Sequence, residues 1–406
     1  MSLLHLRILS LTTILLIITI ACESAAEEIL SLAATPSIQA TATSTPSIGE
    51  QLENLGRLYK NDHNNIVQEL WILGRYHGQY HWSEGSIAED DSYETRRFRL
   101  GTQARLFKKM TIHAQMVSGS NIDPFYNGFT ELWTQWAFSP EFALTIGQQK
   151  HRFTHDRNVS SRYLNYLERS MLTNMFKIDY TPAVTLQGKI KDINYYTGFF
   201  SNATGTDMTE AFTDLDSGYS FLGAVYHELG QSLKTDTAFL HASYLHSDAN
   251  QNATNMNVFE NGLSSALILT KGSTSLVSEI TAGIDSIYGN AVGINIQPGI
   301  FLTNKIQLVG RYQLANSNNA TGLQPQRRYE QPAGLPTGDL YQATYFGVDY
   351  YIAKHRLKFM NGIEYSSLGG QDVWTASTMI RMYFGPHSGG SFPMNQMLPG
   401  EFFITD

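Results

Sequence analysis

From Glu94 to Phe107 the chain reads Glu-Thr-Arg-Arg-Phe-Arg-Leu-Gly-Thr-Gln-Ala-Arg-Leu-Phe. On an extended strand this puts Arg97, Arg99 and Arg105 on one face and Phe98, Leu100, Ala104 and Leu106 on the other. Such a strand must keep one side with water or anions and the other with hydrocarbon. The pattern recurs: Lys305, Gln307, Arg311 and Gln313 alternate with Ile306, Leu308, Tyr312 and Leu314. Arg356, Lys358 and Glu364 alternate with Leu357, Phe359, Ile363 and Tyr365, and Thr375, Ser377, Arg381 and Tyr383 with Trp374, Ala376, Ile380, Met382 and Phe384. Two folds satisfy it. A soluble sandwich would turn the apolar faces toward a second sheet, whereas a transmembrane barrel turns them outward and keeps a polar lumen.

Export tilts the choice to the barrel. His5 and Arg7 precede an apolar run, Ile8 to Ala21, that is too short for an ordinary spanning helix and reads as an export signal. Cleavage can follow Ser24-Ala25-Ala26; alternatively Cys22, behind Thr19-Ile20-Ala21, is a lipidation site. Cys22 is the only cysteine, so the mature chain forms no internal disulfide. No later segment is apolar for long enough to span as a helix, but a closed barrel spans with every backbone N–H and C=O paired. Aromatics make up 12% of the chain, with 22 Tyr and 21 Phe, which suits interfacial girdles.

The expected organisation is an export signal at 1–26, a periplasmic spacer at 27–65, a barrel at 66–384 and a tail at 385–406. The spacer is rich in Ala, Thr, Ser and Pro, and Leu52, Leu55 and Leu58 predict a short amphipathic helix within 49–60, a periplasmic plug or peg. Beyond Asn65 sixteen strands are expected: 68–82, 94–107, 109–118, 129–138, 141–149, 174–181, 184–200, 218–229, 233–247, 257–271, 273–287, 291–300, 304–316, 338–353, 355–368 and 371–384. Short links, such as Phe107-Lys108-Lys109, Thr181-Pro182-Ala183 and Lys271-Gly272, alternate with long ones at 83–93, 119–128, 150–173, 201–217, 248–256 and 317–337, as periplasmic turns alternate with external loops. The fold class is therefore all-β, a transmembrane antiparallel β-barrel of about 16 strands with a short N-terminal periplasmic extension.

The link 150–173 carries Lys150, Arg152, Arg157, Arg162 and Arg169 against only Asp156 and Glu168. Folded into the lumen, it makes a cationic constriction; left outside, it is a solvated basic loop facing lipopolysaccharide phosphates. Arg75, Arg97, Arg99, Arg105, Arg311, Arg356, Lys358 and Arg381 fall on the expected inner face, joined by the acidic Glu131, Asp349 and Glu364. The net charge of −8 does not oppose an anion path, because Glu84, Glu89, Asp90, Asp91 and Glu94 gather near the first long link and ions respond to local fields.

Arg96-Arg97-Phe98-Arg99-Leu100-Gly101 with Ala104-Arg105-Leu106-Phe107-Lys108 resembles the second-strand region of the phosphate-selective porin O and P family. Leu144-Thr-Ile-Gly-Gln-Gln-Lys150 is similar to its Gly-Gln-x-Lys strand end, Tyr166-Leu-Glu-Arg-Ser170 to its Glu-Arg-Ser segment, Tyr196-Thr-Gly-Phe-Phe200 to the strand after its third loop, and Arg381-Met-Tyr-Phe384 to its closing aromatic strand. The resemblance spans about 66–384. It implies a sixteen-stranded barrel, often trimeric, that passes anions through an arginine-lined channel. Arg97, Arg99 and Arg105 match the basic strand, and Arg152 and Arg169 the third-loop region. His151-Arg152-Phe153 stands where the family has Pro-Pro-Phe, the lysines that confer phosphate preference have no clear counterparts, and residues 385–406 run past the strand that ends family members.

Other chemistries lack support. No nucleophile, base and orienting group are spaced for a rim hydrolase. His77 and His81 with Arg75 read as polar wall rather than a metal site, and Glu168-Arg169 as a salt bridge. Gly389-Gly390 is no phosphate loop, and no basic segment interleaved with aromatics points to nucleic acid. The reading is outer-membrane passage of small anions, with phosphate as the candidate solute and lipid, lipopolysaccharide and two further copies of the chain as partners. No cofactor or catalysis is involved. The alternative is a soluble or surface-anchored β-rich module binding carbohydrate or another ligand.

Overall fold

A computed structural model describes residues 46–386 other than 206, 214–216 and 286–288. The export signal, Cys22, most of the spacer and the tail beyond Pro386 lie outside the described residues. The chain divides into units Met1–Ile48 and Gly49–Asp406, and the architecture below is that of the second.

After a short helix α1 (Ile48–Asn54) come β1 (Arg57–Lys60) and sixteen long strands. They are β2 (Val67–Gly85), β3 (Glu89–Leu106), β4 (Met110–Val117), β5 (Phe129–Ser139), β6 (Phe142–Lys150), β7 (Tyr180–Ile190), β8 (Ile193–Ser201) and β9 (Gly218–Glu228). Then follow β10 (Thr237–Ala249), β11 (Asn261–Lys271), β12 (Thr274–Ile284), β13 (Ala291–Phe301), β14 (Ile306–Ser317), β15 (Leu340–Ala353), β16 (Leu357–Leu368) and β17 (Gln371–Phe384). Each pairs antiparallel with the next, and β17 closes the ring on β2 from Val373↔Gly85 to Phe384↔Gly74. Closure leaves no sheet edge, the condition for β-structure in hydrocarbon. Where β17 ends, β1 takes its place beside β2, pairing Arg57 with Trp71 and Lys60 with Glu69.

Alternation of side chains produces two surfaces. Ile72, Ile112, Ile146, Phe199, Leu263, Ile280 and Phe346 are exposed on the outside, while Gln79, Gln148, Glu279, Asn295, Gln307 and Lys358 are buried inside. Hydrocarbon outward and polar inward is the reverse of a sandwich, so the soluble alternative does not describe this wall. Among the described residues no helix is long and apolar enough to cross a membrane.

Loop three, 151–179, folds into the barrel, and nearly all of it is buried. It carries two single-turn helices, α2 (His155–Asn158) and α3 (Met171–Asn174). One side is held by oil: Phe153, Leu172, Met175, Phe176 and Ile178 join Phe259, Leu222, Leu245 and Ile268 in one apolar cluster. Glycines on the inner wall make the room. A Cβ on Gly262 would stand 2.7 Å from the Phe153 ring and 2.8 Å from that of Phe176, and one on Gly293 2.3 Å from Leu172. Burying Phe153, Leu172 and Phe176 contributes about 1.5–3 kcal/mol each, so the loop is packed rather than draped.

Four expectations are corrected. The helix stops at Asn54 and Leu58 lies in β1, because Gly56 passes so close to β2 that a Cβ would meet Ile72 O at 1.9 Å. The first long link is only 86–88; Glu84, Glu89, Asp90, Asp91 and Glu94 lie on the paired strands β2 and β3. No strand runs over 174–179: Phe176 and Ile178 alternate as on a strand but, with Met175, are buried in loop three, and β7 begins only at Tyr180. Finally Thr181-Pro182-Ala183 is no turn. Pro182 is the third residue of β7, near a strand start where proline is tolerated, and the turn falls at Lys191-Asp192, with Lys191 at φ 52°.

Candidate functional site

The thirteen inner or loop cations expected from sequence separate into groups. Five hold loop three by its backbone. Arg381 donates to Leu164 O (2.7 Å), Tyr166 O (2.7 Å) and Leu167 O (3.1 Å), Lys358 to Leu164 O (2.8 Å), and Arg311 to Glu168 O (2.8 Å). Lys150 donates to Asn158 O and Val159 O, both at 2.9 Å, and Arg169 to Asp156 O and to Val159 O (2.8 Å). A loop inside a barrel leaves peptide carbonyls with no ladder, and buried carbonyls need donors. Arg311 also pairs with Glu364 (2.9 Å), and Asp349 lies 3.7 Å from Lys358, so those two acids belong to the tether.

Arg162 and Arg356 flank the Tyr383 ring, each 5.2 Å from its centre. They donate to Pro386 O (3.3 Å) and Gly385 O (2.9 Å), where the chain leaves β17. Arg105 lies apart, half-exposed near the β3–β4 turn and paired with Asp62 and with Glu69 (3.4 Å).

Arg75, Arg97, Arg99, Arg152 and Arg157 remain, the first three on the wall and the last two on loop three. Arg75 reaches across to Ser161 Oγ (2.8 Å), and Arg99 donates to Tyr180 Oη (2.9 Å). Arg99 and Arg157 both lie 5.1 Å from the centre of the Tyr180 ring, so one aromatic brings wall and loop together. Arg97 contacts His77 Nδ1 at 3.3 Å, Arg152 donates to Asn158 Oδ1 (2.9 Å), and Arg157 pairs with Asp179 (3.0 Å). Glu131 lies within electrostatic reach of Arg75, Arg99 and Arg152, and 3.9 Å from His113. Five guanidiniums thus face Glu131 and Asp179, and Arg97 also feels the charge of Glu168. An arginine fork offers paired donors to a carboxylate or phosphate.

Sequence periodicity missed a second group, nearer the long loops. The β2–β3 ladder slips between His77↔Arg97 and Gly78↔Thr95, leaving Arg96 as the extra residue of a bulge. That bulge turns Arg96 inward, where its Nε and Nη2 donate to Glu168 at 2.7 and 3.1 Å. Arg328, in loop seven (318–339), lies 3.6 Å from Glu168 and donates to Glu94 Oε1 at 2.6 Å. Burial alone would raise the Glu168 carboxyl, but Arg96, then Arg328 and Arg97, hold it below the usual carboxylate range. The expected Glu168–Arg169 bridge is replaced by this network, since Arg169 turns to Asp156. The adjacent pairs Arg96-Arg97 and Arg327-Arg328 were the available signal. His81 pairs with Asp90 (2.8 Å), and among the described residues no group of His, Cys, Asp or Glu is placed to hold a metal.

The model of the family described as phosphate-selective porin O and P matches residues 73–267. No curated protein matches the chain. Among solved structures, Pseudomonas putida OprB at high pH is 12% identical with a TM-score of 0.57, over 78% of this chain and 94% of that one. Salmonella typhi OmpF in complex with daunomycin is 8% identical with a TM-score of 0.56, over 80% of this chain and 100% of that one. Vibrio cholerae OmpT expressed in the outer membrane is 9% identical with a TM-score of 0.54, again over 80% and 100%. At such identities the likeness is one of fold.

Proposed function

We propose, from the premise that residues 73–267 place this chain in the phosphate-selective porin O and P family and that it is an outer-membrane diffusion channel, that the channel prefers small anions, phosphate among them. The observation that carries the reading is the slot where Arg99 on β3 and Arg157 on loop three meet over Tyr180, with Arg75 reaching Ser161 of loop three, Arg97 beside His77 on the wall and Arg152 over Tyr196. A phosphate or chloride passing there exchanges part of its hydration for guanidinium N–H donors. Because each arginine is also held by a neutral partner or by the sparse carboxylates, the site attracts an anion without trapping it. Arg311, Lys358, Arg381, Lys150 and Arg169 act one step back, fixing the loop that forms one side of the slot. No reaction is catalysed.

The same reading sets the barrel in outer-membrane lipid and lipopolysaccharide as a homotrimer, which crosslinking of the folded protein in detergent would count. Planar-bilayer recording under a salt gradient tests selectivity. Wild type should give a reversal potential of anion sign, and replacing Arg152 and Arg157 by Ala should move it toward zero. Cation preference in the wild type would refute the reading.

A further inference from the structure

Above the slot lies a cavity of about 390 Å³ between loops three, five (250–260) and seven. Its walls combine two kinds of group. Arg96 and Arg328 are pinned by Glu168 and Glu94, which makes a rigid rim. Arg327 and Lys177 also line it, and among the described residues neither side chain has an ion pair or hydrogen bond. The carboxamides of Asn174 and Gln324 line it with no partner among the described residues either, beside Asn255 and Gln326. With Asp179 committed to Arg157, the lining carries four cations against Glu168 and Asp179.

Inorganic phosphate can take the cations and the carboxamide N–H donors of such a place, but it brings few hydroxyls to the carboxamide oxygens and does not span the cavity. Carboxamides offer donors and acceptors together, the match for hydroxyl groups, and the volume falls in the range of organic-ligand pockets. We propose that this vestibule binds a polyhydroxylated anion, a phosphate or carboxylate head on a body bearing several hydroxyls, before it enters the slot. Arg327 and Lys177 take the head and Asn174 and Gln324 the hydroxyls. The proposal rests on the anion-channel reading and names the solute class that reading leaves open.

The test uses the purified full-length channel in a planar bilayer, with glucose 6-phosphate, inorganic phosphate or glucose added on the side of the long loops and interruption of chloride current as the readout. Glucose 6-phosphate should block at a concentration at least tenfold lower than either single-feature probe. The double variant Arg327→Gln, Lys177→Gln should raise that concentration about tenfold, with reversal potential and heat-modifiable gel mobility unchanged. Equal block by glucose 6-phosphate and inorganic phosphate, or block unaltered in the double variant, overturns the vestibule while anion preference stands. Absence of anion preference in the wild type overturns the slot reading beneath it instead.

Discussion

Arg381→Ala separates a cation that holds loop three from one that meets solute. Arg381 is 1% exposed and donates to three loop carbonyls, those of Leu164, Tyr166 and Leu167. At about 1.5–3 kcal/mol for each bond from a charged donor, the three sum to roughly 5–9 kcal/mol. The real loss is smaller, because freed carbonyls take up water and Lys358 still donates to Leu164 O. Truncating one partner of a buried, hydrogen-bonded charge costs about 2–5 kcal/mol. Taking about 3 kcal/mol, the undocked population of segment 164–168 rises roughly 150-fold. The apolar anchor of Phe153, Leu172 and Phe176 is untouched, as is the β17–β2 ladder that closes the ring. The variant should therefore assemble normally yet show larger, noisier single-channel conductance and faster proteolysis within loop three. Its reversal potential should stay close to wild type. A quiet channel that instead lost anion preference as far as Arg152→Ala, Arg157→Ala would place Arg381 among the solute-facing groups and refute the division into tethers and slot.

Gly262→Leu drives a side chain into the Phe153 and Phe176 rings; overpacking of this kind costs about 1–3 kcal/mol, so conductance should rise and the heat-modification midpoint should fall, and an unchanged midpoint would count against the packed loop. Arg105→Ala should leave selectivity as it is, since its partners Asp62 and Glu69 lie near the turn ends rather than in the slot; a reversal potential shifted toward zero would contradict that. In loop three, burial holds the His151 and His155 imidazoles down to about 3 and about 4. These bases stay neutral when folded, while the unfolded chain takes up protons from about pH 6.5 downward. Their contribution is therefore complete above that pH and is lost as pH falls toward the folded values. Glu330, raised by burial and then by the Glu364 charge, works in the opposite direction, so the readout is a difference: His155→Gln should show a smaller acid-induced drop in the heat-modification midpoint than wild type, and equal drops would refute the assignment.

Which residues face out and which face in was legible from the sequence, because strand alternation is local: Lys358, Arg381 and Gln307 are inside and Ile280, Phe346 and Trp374 outside whatever the rest of the chain does. The basic loop between β6 and β7 was legible from its charges, whereas the count of sixteen agrees because two misreadings cancel: the strand expected over 174–181 is absent, and the one expected over 184–200 is the hairpin of β7 and β8. What the inward cations do was not legible, since a guanidinium serves equally well as donor to a passing anion or to a peptide carbonyl. Only the path of loop three, with the Leu164, Tyr166 and Leu167 carbonyls at Arg381 and the Asn158 and Val159 carbonyls at Lys150, decides between them. The bulge that turns Arg96 inward, and the contact that carries Arg328 from loop seven to Glu94 and Glu168, likewise join residues that periodicity keeps apart. Alternation assigns each side chain a face, but what it meets there depends on residues more than two hundred positions away, 217 for Arg381 and Leu164 and 234 for Arg328 and Glu94, and that is settled only when the ring closes and the loop packs inside it.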